Sequence, residues 1–208
     1  MNRKQFAWSI AFGLTCRLVA QTGDEEKRLR LHGEVFRLLG VKPGDSVGDI
    51  GAGDEGMWSI LLSQKVGKAG LVFAEDIDLS AIEKLQKVIS AKSITNVKLI
   101  VGTQSDPRLP PGQADSIIVS MTYHEFADHP EMLSNLRAAL KPGGRLVIFE
   151  SIGAKRRSEP RAVQTKNHEI SPRIMEAELS KAGFTIVETV DPLWPDAELS
   201  RYLVAASK

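Results

Sequence analysis

Between residues 46 and 206, short apolar runs alternate with longer segments whose apolar residues recur at helical spacing. No other feature of the chain narrows its fold as much. Strands are predicted over 46–50, 71–76, 97–101, 116–120, 145–152, 184–190 and 201–206. Helices are predicted over 24–39, 56–65, 79–91, 129–140 and 171–182. In the 79–91 segment Ile82, Leu85, Val88 and Ile89 fall on one face. The strand runs carry few polar interruptions, as expected of strands buried on both faces of a parallel sheet. Only Asp191 to Ser200 separate the last two runs. That is too short for a crossover helix, so the last strand is predicted to be antiparallel.

The expected fold is therefore α/β: a doubly wound, mostly parallel, seven-stranded Rossmann-like sheet with an antiparallel last strand and helices on both faces. Two parts are expected, a helical extension over 1–40 and the sheet domain over 41–208. The 208 residues suffice for a full core. With 27 basic and 26 acidic residues, the net charge of +1 offers no global field for nucleic acid. Cys16 is the single cysteine, and the histidines are scattered at 32, 124, 129 and 168. Neither a disulfide framework nor a resident metal is expected.

At the N-terminus Asn2-Arg3-Lys4 precede an apolar stretch from Phe6 to Ala20, the order found in a secretory signal. Arg17 interrupts the stretch, Leu18 is a poor small residue for cleavage, and the run is short of the about 20 residues that span a bilayer. The expected location is the cytoplasm. The alternative is export or anchoring through residues 1–20, with a weak membrane contact there.

The first strand runs straight into Gly51-x-Gly53-x-x-Gly56, a turn that lets a ligand approach the backbone and aims helix amides at it. This spacing also fits a dinucleotide fingerprint, or a tight connection that binds nothing. Asp49 just before the turn can orient the loop and accept from a cationic ligand. The second strand ends in Glu75-Asp76, and an acid there suits ribose hydroxyls. Strand alternation is expected to aim one of the two at the pocket, and Asp76 is favoured.

VGDIGAGDEGMWSILLS, VFAEDIDLSAIEKL, VGTQSDPRLPPGQADSIIVSMTYHEF and LRAALKPGGRLVIFE occur in this order. From about Arg30 onward the chain resembles class I S-adenosylmethionine-dependent methyltransferases, in particular bacterial ones with a Tyr-His segment after the fourth strand. The resemblance implies S-adenosylmethionine as cofactor and a small-molecule acceptor. It implies that Asp49, Gly51 and Gly53 contact the methionine part within the Gly51–Gly56 turn, Asp76 the ribose and Asp106 the adenine amine. One departure is the extra residue in Asp54-Glu55 before Gly56. Two carboxylates there would repel the donor's own unless they point outward.

The acceptor is expected over Ser120–Phe126, with His124 as base or orienting group and Glu125 or Tyr123 as its partner. The 153–170 connection carries Lys155, Arg156, Arg157, Arg161 and Lys166; it is expected to be a solvated, mobile loop, or else a lid that recognises an anionic acceptor. In the resembling family a histidine recurs at the position of His168, which would face the pocket. Trp194 is expected to wall the pocket or cover the core. Two rival functions stand beside methyl transfer. One is an NAD(P)-dependent oxidoreductase, which has the glycine spacing but no Tyr-x-x-x-Lys pair. The other is a methyltransferase-like binding protein without catalysis.

Overall fold

The structure, a computed structural model, describes residues 24–194 and 199–208. The Phe6–Ala20 stretch, with its signal or anchor expectation, lies outside the described residues. The chain divides between Val35 and Phe36, inside a helix over 24–39 (α1). The second unit, Phe36–Lys208, holds the whole sheet.

Its strands are β1 (Ser46–Ile50), β2 (Leu71–Asp76), β3 (Val97–Val101), β4 (Ala114–Ser120), β5 (Leu140–Gly153), β6 (Thr185–Val190) and β7 (Leu199–Ser207). The helices are α2 (Met57–Val66), α3 (Leu79–Ala91), α4 (His129–Ala139), α5 (Arg161–Lys166) and α6 (Pro172–Lys181). The sheet order is β3-β2-β1-β4-β5-β7-β6. β1 pairs in parallel with β2 and β4, whereas β7 runs antiparallel between β5 and β6, as its short connection requires. The order turns outward in both directions from β1 and β4. Ligands of such sheets bind at that switch, beyond the strands' C-terminal ends.

Alternate residues of the central strands point into different layers. Ile117, Val119, Leu146 and Ile148 pack with Leu133 and Leu136 of α4 and with Met175 and Leu179 of α6. Ala74 on the other face packs with Leu85 and Ile89 of α3. The helix starts follow their local chemistry. The Asp78 carboxylate accepts from the Ser80 amide at 2.8 Å and caps α3. Asp128 caps α4 in the same way, with Pro130 in the first turn.

β5 begins earlier than the sequence suggests. Leu140 pairs with Ala114, the register then jumps, and Arg145 pairs with Ser116. The Lys141–Gly144 turn is thus an irregularity inside the strand. The 153–170 segment also departs from a plain loop, because it contains a short 3-10 turn (Ala154–Arg156) and α5.

Candidate functional site

Residues at the C-terminal ends of β1, β2, β3 and β4 line a pocket. They are Ile50 and Gly51 at the end of β1, Glu75, Asp76 and Ile77 at the end of β2, Thr103 and Gln104 after β3, and Thr122, Glu125, Phe126 and Met132 beyond β4. The three glycines of the turn have different surroundings. A Cβ on Gly51 would run into the Thr122 side chain, and one on Gly56 into Leu85 of α3. A Cβ on Gly53 would meet nothing within 4 Å, so the space above Gly53 is open. Gly51 and Gly56 therefore let the turn close against the fold, and Gly53 leaves room for a ligand.

The acids divide their labour in a way alternation does not foresee. Asp49 is buried, and its carboxylate accepts from the Ser59 hydroxyl at 2.6 Å, tying β1 to α2. Burial pushes it up to about 6 despite that bond. It orients the turn and does not line the pocket. Asp76 accepts from the Gly53 amide at 3.0 Å and from the Asp78 amide at 2.9 Å. Glu75 also lines the pocket, because Asp76 is the last strand residue and the chain turns there. The Glu75 carboxyl is buried and its Oε1 has no hydrogen-bond partner. Burial pushes it up to about 8, with Asp76, Asp49 and Asp106 adding to the shift and the Gly51 amide opposing it.

Asp106 is set back, accepting from the Arg108 amide at 2.7 Å, and Thr103 and Gln104 line the pocket in its place. Asp54 and Glu55 are both exposed, and Asp54 pairs with Lys84 at 3.4 Å. The extra residue is thus absorbed on the outer side of the turn, away from the pocket lining.

A single 3-10 turn (Tyr123–Glu125) follows β4. His124 is buried there, and its Nδ1 lies 2.9 and 3.0 Å from the two carboxylate oxygens of Glu150 on neighbouring β5. The His124 amide also donates to Glu150 Oε1 at 3.1 Å. Burial lowers the imidazole, but the Glu150 bond and charge outweigh it and hold His124 above its ordinary value. Sequence reasoning missed Glu150, although an acid inside the apolar run Val147–Ile152 is a signal once β4 and β5 are neighbours.

Glu125 Oε1 stands 3.8 Å from His124 Nε2. Tyr123 does not join this group: it is buried in the core, and its hydroxyl donates to Glu178 at 2.8 Å. His168 does, its ring meeting that of His124 edge-on at 5.4 Å between centroids. Trp194 is buried and is not among the residues that line the pocket. The arginines of the 153–170 segment are paired: Arg156 with Glu169, Arg157 with Asp191 through two bonds of 2.8 Å, and Arg161 with Glu178. Committed to these partners, they form a braced connection in place of a mobile cationic lid.

The model of the ubiE/COQ5 methyltransferase family matches residues 27–186. Demethylmenaquinone methyltransferase of Geobacillus stearothermophilus is 26% identical over 125 residues, which are 60% of this chain and 53% of that protein. The chain thus spans about half the length of the curated relatives it matches. A SAM-dependent methyltransferase from Aquifex aeolicus superposes with a TM-score of 0.71 at 23% identity, covering 84% of this chain and 88% of that one. The [4+2]-cyclase SpnF superposes with a TM-score of 0.72 at 15% identity, covering 88% and 81%. The fold is shared across these proteins, and what they do with it differs.

Proposed function

The chain belongs to the ubiE/COQ5 methyltransferase family, and from that membership we propose that it transfers a methyl group from S-adenosylmethionine to a small-molecule acceptor. The observation that carries this is the pocket over the glycine turn, with open space above Gly53 and an acidic wall of Glu75 and Asp76. These residues fit the donor. A buried carboxyl oxygen of Glu75 lacks a partner where a ribose hydroxyl or ammonium would supply one, and the Asp76 carboxylate suits the hydroxyls of a ribose. A dinucleotide fits less well. The usual dinucleotide order is 3-2-1-4-5-6, whereas here β7 is inserted between β5 and β6.

Bound there, S-adenosylmethionine supplies an electrophilic methyl group that leaves its sulfur by in-line displacement. The protein's part is positioning. Gly51 and Gly53 with Asp76 hold the donor, Thr103 and Gln104 flank its base, and Asp49 keeps the turn in place through Ser59. Phe126 and Met132 offer an apolar surface to the acceptor. His124, oriented by Glu150 through Nδ1, directs Nε2 toward an acidic hydroxyl of that acceptor, with Glu125 beside it. Several relatives are named for demethylmenaquinone, which makes a hydroxylated quinone-type ring the first acceptor to try.

Among the described residues no helix is long and apolar enough to cross a membrane. Because the donor is made in the cytosol, we place the chain there. Calorimetric titration with S-adenosylhomocysteine and with NAD tests the donor. Saturable binding of the first alone is expected, and binding of NAD alone would overturn the proposal. Incubation with methyl-labelled donor and reduced quinones then tests the acceptor class.

A further inference from the structure

Two histidines and a carboxylate, far apart in sequence, meet beside the donor pocket. His124 and Glu125 come from the turn after β4, and His168 from the residues just before α6. One possible ligand atom from each lies within 4.8 Å of the other two, and His124 Nε2 and Glu125 Oε1 are 3.8 Å apart. Ligands held about 2.0–2.2 Å from a tetrahedral ion stand roughly 3.3–3.6 Å from one another. Glu125 and His168 are both exposed, so side-chain rotation of about an ångström closes the set.

Two of the three side chains are held in place by their surroundings. The second nitrogen of His124 is already fixed by the fully buried Glu150 carboxylate, at 2.9 and 3.0 Å. This carboxylate–histidine arrangement sets the tautomer that leaves Nε2 free to bind an ion. His168 holds a left-handed backbone, φ 55°, without being glycine. That conformation closes α5, where the His168 amide donates to the Thr165 carbonyl and the Glu169 amide to the Gln164 carbonyl, and it brings the imidazole edge-on to His124.

We propose that His124, His168 and Glu125 bind a divalent first-row cation of the zinc class, with a fourth position open toward the acceptor. Two histidines, one carboxylate and an open position make the donor set of reactive zinc and non-haem iron sites, whereas structural zinc sites are closed. The role assigned to the ion rests on the acceptor side lying at this edge, as proposed above. There the ion takes an oxygen of the acceptor and stabilises its deprotonated form, and the hydroxyl proton passes to solvent. Glu125 lines the donor pocket, so the open position borders the transferring methyl group. His124 then acts on the acceptor through the ion.

The test is titration of the chelator-treated full chain with Co2+, followed by its visible absorption, and with Zn2+ against a chromogenic chelator. One equivalent binding at micromolar or tighter affinity is expected, with the intense bands of tetrahedral cobalt. His168→Ala, at an exposed position, is expected to weaken binding about 100-fold, and Glu150→Gln about 10–100-fold, with an unchanged circular dichroism spectrum. His129→Ala serves as a control and leaves affinity unchanged, because His129 lies beside Glu178. Acetohydroxamate, a two-oxygen stand-in for the acceptor, is expected to shift the cobalt bands. Absence of stoichiometric binding below about 0.1 mM overturns the proposal; so does equal affinity in His124→Ala, His168→Ala and the parent chain. Titrating the same samples with S-adenosylhomocysteine separates the two ideas. Donor binding without cobalt binding sinks the ion site, and cobalt binding without donor binding upholds the ion site and sinks methyl transfer.

Discussion

Glu150 grips His124 from the adjacent strand at three points: both carboxylate oxygens reach Nδ1, at 2.9 and 3.0 Å, and Oε1 also takes the His124 amide. The acid is wholly buried. A turn that would otherwise be free to swing is thereby indexed to the sheet. Glu150→Gln keeps the shape and one acceptor oxygen, but removes the charge and sets an NH2 donor against the Nδ1–H where the second oxygen stood. It is expected to lower kcat about 10–100-fold. S-adenosylhomocysteine affinity should stay within about two-fold, since Glu150 does not line the donor pocket. Loss of donor binding with kcat intact would contradict this assignment.

Asp76 lines the pocket and braces the glycine turn, its two oxygens taking the Gly53 and Asp78 amides. Asp76→Ala is expected to weaken S-adenosylhomocysteine by about 1–3 kcal/mol, through lost charge-assisted hydrogen bonds. Asp76→Asn retains one acceptor oxygen and should fall between that variant and the parent. Calorimetry on both variants checks the order, and an unaltered affinity would shift the ribose role to Glu75.

Gly51 and Gly53 have similar positive φ, 70° and 66°, but different surroundings. Gly51→Ala places a methyl group against Thr122 as well as straining the backbone. It is expected to cost about 2–4 kcal/mol, read as a lowered denaturant midpoint. Gly53→Ala should cost only the backbone term of about 1–2 kcal/mol, yet should abolish donor binding by filling the open space. Equal stability losses, or normal donor binding by the Gly53 variant, would refute this division.

The raised Glu75 carboxyl makes stability depend on pH with a definite sign. Below its ordinary value of 4.5 the acid is protonated in both states. Between 4.5 and about 8 the unfolded chain releases the proton while the native one keeps it, so stability falls as pH rises, then levels off. Asp49 adds a smaller fall of the same sign between 3.8 and about 6. Glu75→Gln is expected to remove the slope above pH 6 and to stabilise the fold at pH 8 by on the order of 1–3 kcal/mol, read as a raised melting temperature. Melting curves at pH 5, 6, 7 and 8 measure this, and an unchanged slope would count against it.

The strand and helix order was legible because each buried strand is a short apolar run and each helix repeats its apolar residues at the helical period. The direction of β7 followed from the length of the 191–200 connection alone. The divided work of the acids was not legible. Alternation allows Glu75 or Asp76 to face the pocket, but it holds within a strand and fails at its last residue, where the chain turns. Glu125 and Tyr123 were the sequence neighbours offered to His124, whereas the contact that orients it comes from Glu150, 26 positions away. Pairings of that kind depend on which strands are adjacent. The arginines between 153 and 170 read as a free cationic set, because Glu178 and Asp191, the partners of Arg161 and Arg157, lie on parts of the chain that only folding brings near.

Gln164 is buried in the 153–170 connection. Its amide donates to the carbonyls of Arg156, Arg157 and Glu159, and its oxygen accepts from the Ser171 amide. One side chain thus ties the segment to itself, making it a cassette with its own internal wiring. Exchanging residues 154–171 between relatives is expected to need Asp191 and Glu178 exchanged with them, because Arg157 and Arg161 are paired to those acids. Gln164→Ala should undo all of these ties at once, read as faster amide hydrogen exchange across 156–171.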